Sequence, residues 1–214
     1  SWNLSANFSY NKNKLLELYN GVEEYVNSTT GLKYMVGHSV TEYFLNRYAG
    51  VNPANGDALW YTADGELTTE FREDDKVMTG KTYESPWAGG FGTTFIWKGI
   101  SLSAQFSWMA DRWVMNNDRF FEESNGLYST YNQSRRLLYD RWKKPGDITD
   151  IPRYGVTAQL DDRFLENSSF LRLKNLTLAY ALPQPLLKKT NFFTSARVYL
   201  QGQNLLTFTG FTGL

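Results

Sequence analysis

The chain has 214 residues, 22 of them Lys or Arg and 22 Asp or Glu, so its formal net charge is zero and gives no electrostatic case for nucleic acid as a partner. It has no cysteine, which excludes a disulfide framework, a thiolate metal site and a Cys nucleophile. Aromatic residues reach 16% while the mean hydropathy is -0.47, a combination that fits many half-apolar strands better than a dense aliphatic core.

From Trp2 to Tyr10 the even positions are Trp, Leu, Ala, Phe and Tyr and the odd ones Asn or Ser, a period-two strand. Asn11 to Asn27 has apolar residues at Leu15, Leu18, Tyr19, Val22 and Val26, a spacing that suits a helical turn or two. Tyr34 to Val51 is rich in Val, Tyr and Phe and predicts a further strand with less distinct faces. Turn signals at Asn52–Asp57 and Thr62–Gly65 bracket Leu59-Trp60-Tyr61 as a small hairpin inside a longer loop that runs on through Glu70–Lys76. The carboxylates of that loop do not follow the spacing of a calcium-binding loop and read as solvated turn residues.

Trp87, Gly89, Phe91, Thr93, Phe95 and Trp97 share one face of a strand that turns at Lys98-Gly99. The return strand sets Ile100, Leu102, Ala104, Phe106 and Trp108 against Ser101, Ser103, Gln105 and Ser107. Asp111 to about Asn167 is long, polar and aromatic, with a helix-compatible patch at Ser134–Trp142 and breaks at Pro145-Gly146 and Pro152. Ser168 to Phe208 is a second hairpin, joined by a linker from Pro183 to Phe193. Its first arm switches apolar phase at Lys174-Asn175, from Leu171 and Leu173 to Leu176, Leu178 and Tyr180, which predicts a β-bulge or a strand rising out of the membrane. Its second arm sets Val198, Leu200, Leu206 and Phe208 against Arg197, Tyr199, Gln201 and Gln203.

Alternation alone permits an inward apolar face, as in a soluble sandwich, or an outward one, as in a membrane barrel. Strand lengths near the ~9–11 residues of a tilted spanning strand, and short connections alternating with long ones, favour the barrel. The connection from Asn11 to about Lys33, longer than a periplasmic turn should be, counts mildly against it. No run approaches the ~20 apolar residues of a spanning helix, and no signal peptide opens the chain. Because the alternating pattern is already running at Ser1, we expect a piece of something longer.

The run Phe170-Leu-Arg-Leu-Lys-Asn-Leu-Thr-Leu-Ala-Tyr-Ala-Leu-Pro183, with Arg197-Val-Tyr and Gln201-Gly-Gln-Asn-Leu-Leu-Thr-Phe208, resembles the C-terminal region of SusC/RagA-type TonB-dependent outer-membrane transporters. Further pieces resemble the same family in the same order: Tyr48–Pro53, Gly56–Tyr61, Gly89–Gly92 leading to Trp97-Lys-Gly, Asp140-Arg-Trp142, Asp150-Ile-Pro152 and Asp162-Arg-Phe164. The resemblance spans nearly the whole chain. It implies an all-β fold, a fragment of about six C-terminal strands of an antiparallel transmembrane β-barrel with long extracellular loops, in which residues 1–214 form a single C-terminal portion. It also implies a twenty-two-stranded whole in the outer membrane, with plug, early strands and closing strand outside this chain. Implied partners are TonB, reached through the absent N-terminal part, the remaining barrel and plug segments, outer-membrane lipid and a SusD-like surface lipoprotein, and the implied cargo is a glycan or peptide.

Nothing in the residues supports catalysis. His38 is the only histidine, so no triad can be built beyond it, and neither a Gly-x-Ser-x-Gly elbow nor a phosphate loop occurs. A lone His of this kind reads as a surface or packing residue. We therefore expect no catalytic, metal or cofactor site. Gly89-Gly-Phe-Gly92 lies inside a strand, where glycine permits close approach or a bend. The candidate ligand-binding residues are loop or lumenal aromatics, Trp60, Tyr61, Trp113, Tyr128, Tyr131 and Trp142, whose flat faces can bury a sugar ring or a peptide side chain. Packing of loop against loop is the plainer role for each. Trp87, Trp97 and Trp108 share apolar strand faces and read as membrane-interface residues. The alternatives are a soluble β-rich carbohydrate-binding module and, more weakly, a glycan-cleaving enzyme.

Overall fold

A computed structural model describes residues 1–27, 32–128, 130–189 and 192–213. Positions 28–31 of the first connection, 129 of the long 111–167 segment and 190–191 of the 183–193 linker lie outside the described residues. The chain divides into two compact units. A strand unit comprises Ser1–Lys12, Ser85–Arg112 and Ser168–Gly210, and a loop unit Asn13–Glu84, Trp113–Asn167 and Phe211–Leu214.

The strand unit is one antiparallel sheet of five strands lying side by side in chain order: β1 (Trp2–Tyr10), β2 (Trp87–Trp97), β3 (Ile100–Ala110), β4 (Phe170–Ala181) and β5 (Arg197–Thr209). Between β2 and β3 the turn residues Lys98 and Gly99 both have positive φ, 45° and 86°, the backbone of a tight turn whose twist matches that of the strands it joins.

Register collects the apolar residues on one face. Trp2, Leu4, Ala6, Phe8 and Tyr10 lie opposite Phe95, Thr93, Phe91, Gly89 and Trp87. These in turn lie opposite Leu102, Ala104, Phe106, Trp108 and Ala110. The expected phase switch in β4 is a bulge. Gln105 pairs with Asn175 and Phe106 with Leu173, so Lys174 is the extra residue. Stepping over it brings Leu171 and Leu173 onto the same face as Leu176, Leu178 and Tyr180. On the other side, β5 passes the bulge with one more residue of its own and a left-handed Asn204 at φ 50°, and still sets Leu206 on Leu173 and Leu200 on Leu178. Aromatic rings mark both ends of this face, Trp2, Trp97 and Tyr180 at the turn end and Tyr10, Trp87 and Trp108 at the other, with aliphatic and Phe side chains between. Gly89 makes room for one of these rings, since a Cβ there would lie 2.9 Å from the indole of Trp108.

The sheet has five long strands where about six were expected. The sixth candidate, Tyr34 to Val51, is broken into Lys33–Met35, Glu42–Leu45 and Arg47–Val51, which pair with Glu24–Val26, Val77–Thr82 and Ala58–Tyr61 inside the loop unit. Its backbone explains the break: Gly37 and Gly50 take φ of 90° and 106°, and the intervening Asn46 is buried with its amide donating to the Arg72 carbonyl. The helical spacing at Asn11–Asn27 yields only a three-residue 3-10 turn at Tyr19–Gly21, where Asn20 and Gly21 are left-handed. At Ser134–Trp142 the helix is limited to Arg136–Tyr139, because Arg141 and Trp142 bridge to Ile151 instead. The small hairpin around Leu59-Trp60-Tyr61 forms as expected, widened to three strands by Arg47–Val51 and Leu67–Thr68. Phe164, Ile151, Trp60, Ala58, Leu137 and Leu165 are among the buried apolar side chains around which the loop unit packs.

Candidate functional site

The six predicted aromatics all lie in the loop unit, and the structure gives them different surroundings. Trp60 is 5% exposed, tilted edge-on between Tyr48 and Phe71 at 6.1 and 5.6 Å, with its indole Nε1 donating to Asp161 Oδ2 at 2.9 Å. Its ring face is therefore closed to a ligand. A side chain that alternates inward on a paired strand is buried by its own hairpin, which the turn signals around it could not reveal. Tyr61 points the other way from the same strand, 36% exposed, under the Arg47 guanidinium at 5.5 Å. The Trp113 ring is covered by Lys81 Nζ at 4.3 Å. Trp142 packs on the Asn52–Asp57 turn, its Nε1 donating to the Pro53 carbonyl at 3.1 Å, and only a glycine at position 56 leaves space for its ring.

Tyr128 and Tyr131 are brought together, 5.9 Å apart, in a cluster with Phe120 and Phe121 that reaches inward to the buried Phe164. Tyr131 ends this ladder of rings at the surface, 57% exposed. Of the six residues, Tyr131 and Tyr61 keep the most open ring surface.

Beside the cluster lies a cleft of ≈ 560 Å³ lined by charged side chains, among them Arg119, Glu123, Arg136 and Asp150. Asn116 caps the helix Asn117–Glu122 by accepting from the Arg119 amide, and one helical turn then sets Arg119 Nε 3.1 Å from Glu123. The Arg119 guanidinium also reaches Asp150 and Glu166, each at 3.2 Å. Arg136 donates to both Asp150 oxygens at 2.7 Å and to the buried Glu123 at 2.6 Å. Burial pushes the Asp150 carboxyl up, but the hydrogen bond and charge of Arg136 and the charge of Arg119 pull it below its ordinary value. Glu166 is likewise pushed up by burial and brought down further by the Thr212 amide and hydroxyl, Asn116 and Arg119. Asp161, fully buried, goes the other way: burial outweighs the Arg163 charge and the Trp60 hydrogen bond and raises it. Burial lifts the Tyr48 phenol to about 12, its hydroxyl donating to the Asp150 carbonyl at 3.0 Å.

This network escaped the reading of the sequence, although the Arg119/Glu123 spacing and the Asp150-Ile-Pro and Asp162-Arg-Phe pieces were legible signals of it. Its carboxylates already accept from guanidinium or amide donors, so its chemistry is that of holding loops in place. Among the described residues no group of three or more His, Cys, Asp or Glu side chains is placed to hold a metal ion, and no helix is long and apolar enough to cross a membrane.

No family model matches the chain. It is 28% identical over 233 residues to TonB-dependent receptor P3 of Formosa agariphila, covering 100% of this chain and 23% of that receptor. It is 26% identical over 235 residues to TonB-dependent receptor SusC of Bacteroides thetaiotaomicron, covering 100% of this chain and 22% of the receptor. Among solved structures, the RagAB peptide transporter superposes with a TM-score of 0.89 at 38% identity over 99% of this chain and 24% of that one. The RagAB peptide importer in its 'closed-closed' state gives 0.87 at the same identity. The chain thus spans about a quarter of the length of the proteins it matches. Similarity over 99–100% of the chain, at up to 38% identity, makes this a fragment of the SusC/RagA type of TonB-dependent outer-membrane transporter.

Proposed function

We propose that the whole protein imports oligomeric nutrients across the outer membrane, energised by TonB and working with a SusD-like surface lipoprotein, and that this chain is a C-terminal portion of its barrel. The observation that carries the reading is the likeness to RagAB over 99% of this chain at a TM-score of 0.89. Peptides are the first cargo to test, because the RagAB peptide transporter is 38% identical to this chain and SusC is 26%. Glycan oligosaccharides are the second. Within the segment, Tyr131 and Tyr61 are the loop aromatics proposed to meet cargo or lipoprotein, with Tyr128 behind Tyr131.

A soluble carbohydrate-binding module is disfavoured by the strand unit. Such a module would use the apolar face as its core, whereas Leu4, Phe8, Leu200 and Leu206 are 67%, 77%, 76% and 55% exposed. The test is uptake of labelled peptides and oligosaccharides by cells producing the full-length protein and its lipoprotein, with and without TonB. TonB-dependent accumulation of either class supports the reading. Accumulation that ignores TonB, or none of either class at normal barrel levels, overturns it.

A further inference from the structure

The charges of this neutral chain are unevenly shared. Of the 22 cations and 22 carboxylates, the strand unit holds eight cations and a single carboxylate, Asp111, leaving fourteen and twenty-one to the loop unit. At the turn end of the sheet the cations gather: Lys98 in the β2–β3 turn, and Lys188 and Lys189 in the connection from β4 to β5. Residues 97–101 and 181–197 contain no Asp or Glu. All three lysines are exposed, and none takes part in an ion pair among the described residues.

Apolar side chains share this rim. Lys98 Nζ lies 5.1 Å over the Trp97 ring, which stands on the apolar face. The Tyr180 ring packs against the turn, within 3.4 Å of where a Cβ of Gly99 would be. Further along the β4–β5 connection Leu186, Phe192 and Phe193 are 51%, 82% and 55% exposed. Exposed Phe and Leu beside unpaired Lys have no use in a turn surrounded by water. They suit the headgroup boundary of a bilayer, where the rings enter the acyl region and the ammonium groups meet phosphate.

We propose that this turn-end rim binds the headgroups of anionic phospholipid in the adjoining leaflet. The apolar band of the sheet runs into the rim without interruption through Trp97, Ile100, Tyr180 and Val198, so its neighbour is the same bilayer that the band contacts. The proposal needs only the membrane placement of the chain and is independent of the cargo. It is tested on the full-length transporter in nanodiscs of phosphatidylcholine mixed with phosphatidylglycerol, comparing wild type with the K98Q/K188Q/K189Q variant.

Each surface lysine near an anionic headgroup is worth about a fivefold preference. Native mass spectrometry should therefore find phosphatidylglycerol retained over phosphatidylcholine by at least ~5-fold in wild type, falling toward the bulk ratio in the variant, with barrel levels unchanged. Equal retention of the two lipids by wild type overturns the proposal, as does a preference that survives the triple substitution. Unchanged lipid preference with lowered TonB-dependent uptake would assign the rim to a periplasmic protein instead.

Discussion

Leu176→Arg is the sharpest test of which face of the sheet meets lipid. Leu176 lies opposite Ala104, one residue from Gln105, the middle of the eleven-residue strand Ile100–Ala110. Arg on the lipid face costs about 2–4 kcal/mol at the bilayer midplane and about 0–1 near the interface. Leu200 pairs with Leu178, which pairs with Leu102, three residues from Gln105. At ~3.3 Å per residue and a tilt of ~40°, that is about 7–8 Å off the midplane, so Leu200→Arg should cost less, between about 1 and 2 kcal/mol. Thr177→Arg, one position along and on the polar face, should cost under ~0.5 kcal/mol. The assay is the urea midpoint of the heat-modifiable band of the full-length barrel in lipid vesicles. The order Leu176, Leu200, Thr177 is expected. Equal loss at Leu176 and Thr177 would refute the assignment of the faces, and a greater loss at Leu200 would refute the depth.

Cysteines placed at Gln105, Tyr199, Gln201 and Gln203 should react with a water-soluble thiol reagent while cysteines at Phe106 and Leu200 stay protected, as read by mass shift; the chain has no native cysteine to interfere. Gly89→Ala should destabilise the barrel by about 1–3 kcal/mol, since its Cβ would collide with the Asn7 carbonyl and meet the Trp108 ring at 2.9 Å; a wild-type urea midpoint would contradict this packing. Trp60→Phe should leave the buried Asp161 short of a donor and cost the loop unit about 1–3 kcal/mol, raising its proteolysis rate, whereas Tyr131→Ala should leave proteolysis unchanged and weaken cargo uptake or lipoprotein docking. Asp150 and Glu166 have folded pKa values below their unfolded ones, so their stabilisation is present above about pH 4 and is lost as pH falls through the lowered values. Asp161 is raised, so its charged form works against folding above its pKa, and Asp161→Asn should remove that part of the pH dependence in a proteolysis profile.

What could be read from the sequence follows from how far apart the determining residues lie. In the sheet the information is local, because the side-chain period of two assigns each residue a face from its immediate neighbours. The phase switch at Lys174 was legible for the same reason. A slip of one residue moves every later side chain to the other face, so a strand that must keep Leu171, Leu173, Leu176 and Leu178 on one face can do so only with an extra residue between them.

In the loop unit the information is not local. Trp60 is closed by Tyr48, Phe71 and Asp161, up to 101 residues away in sequence, and Arg119 joins carboxylates 31 and 47 positions downstream. Neither arrangement leaves a period in the chain. The same difference governs how each part can change. A position of the sheet needs only the right polarity, whereas each member of the Arg119–Glu123–Arg136–Asp150 network satisfies others that burial makes costly to leave unpaired, so the loops have to be altered as a group. On the proposed role of Tyr131, variation for new cargo would fall on exposed rings of its kind, which end on water and carry no such partners' charges, over a scaffold that the buried network keeps unchanged.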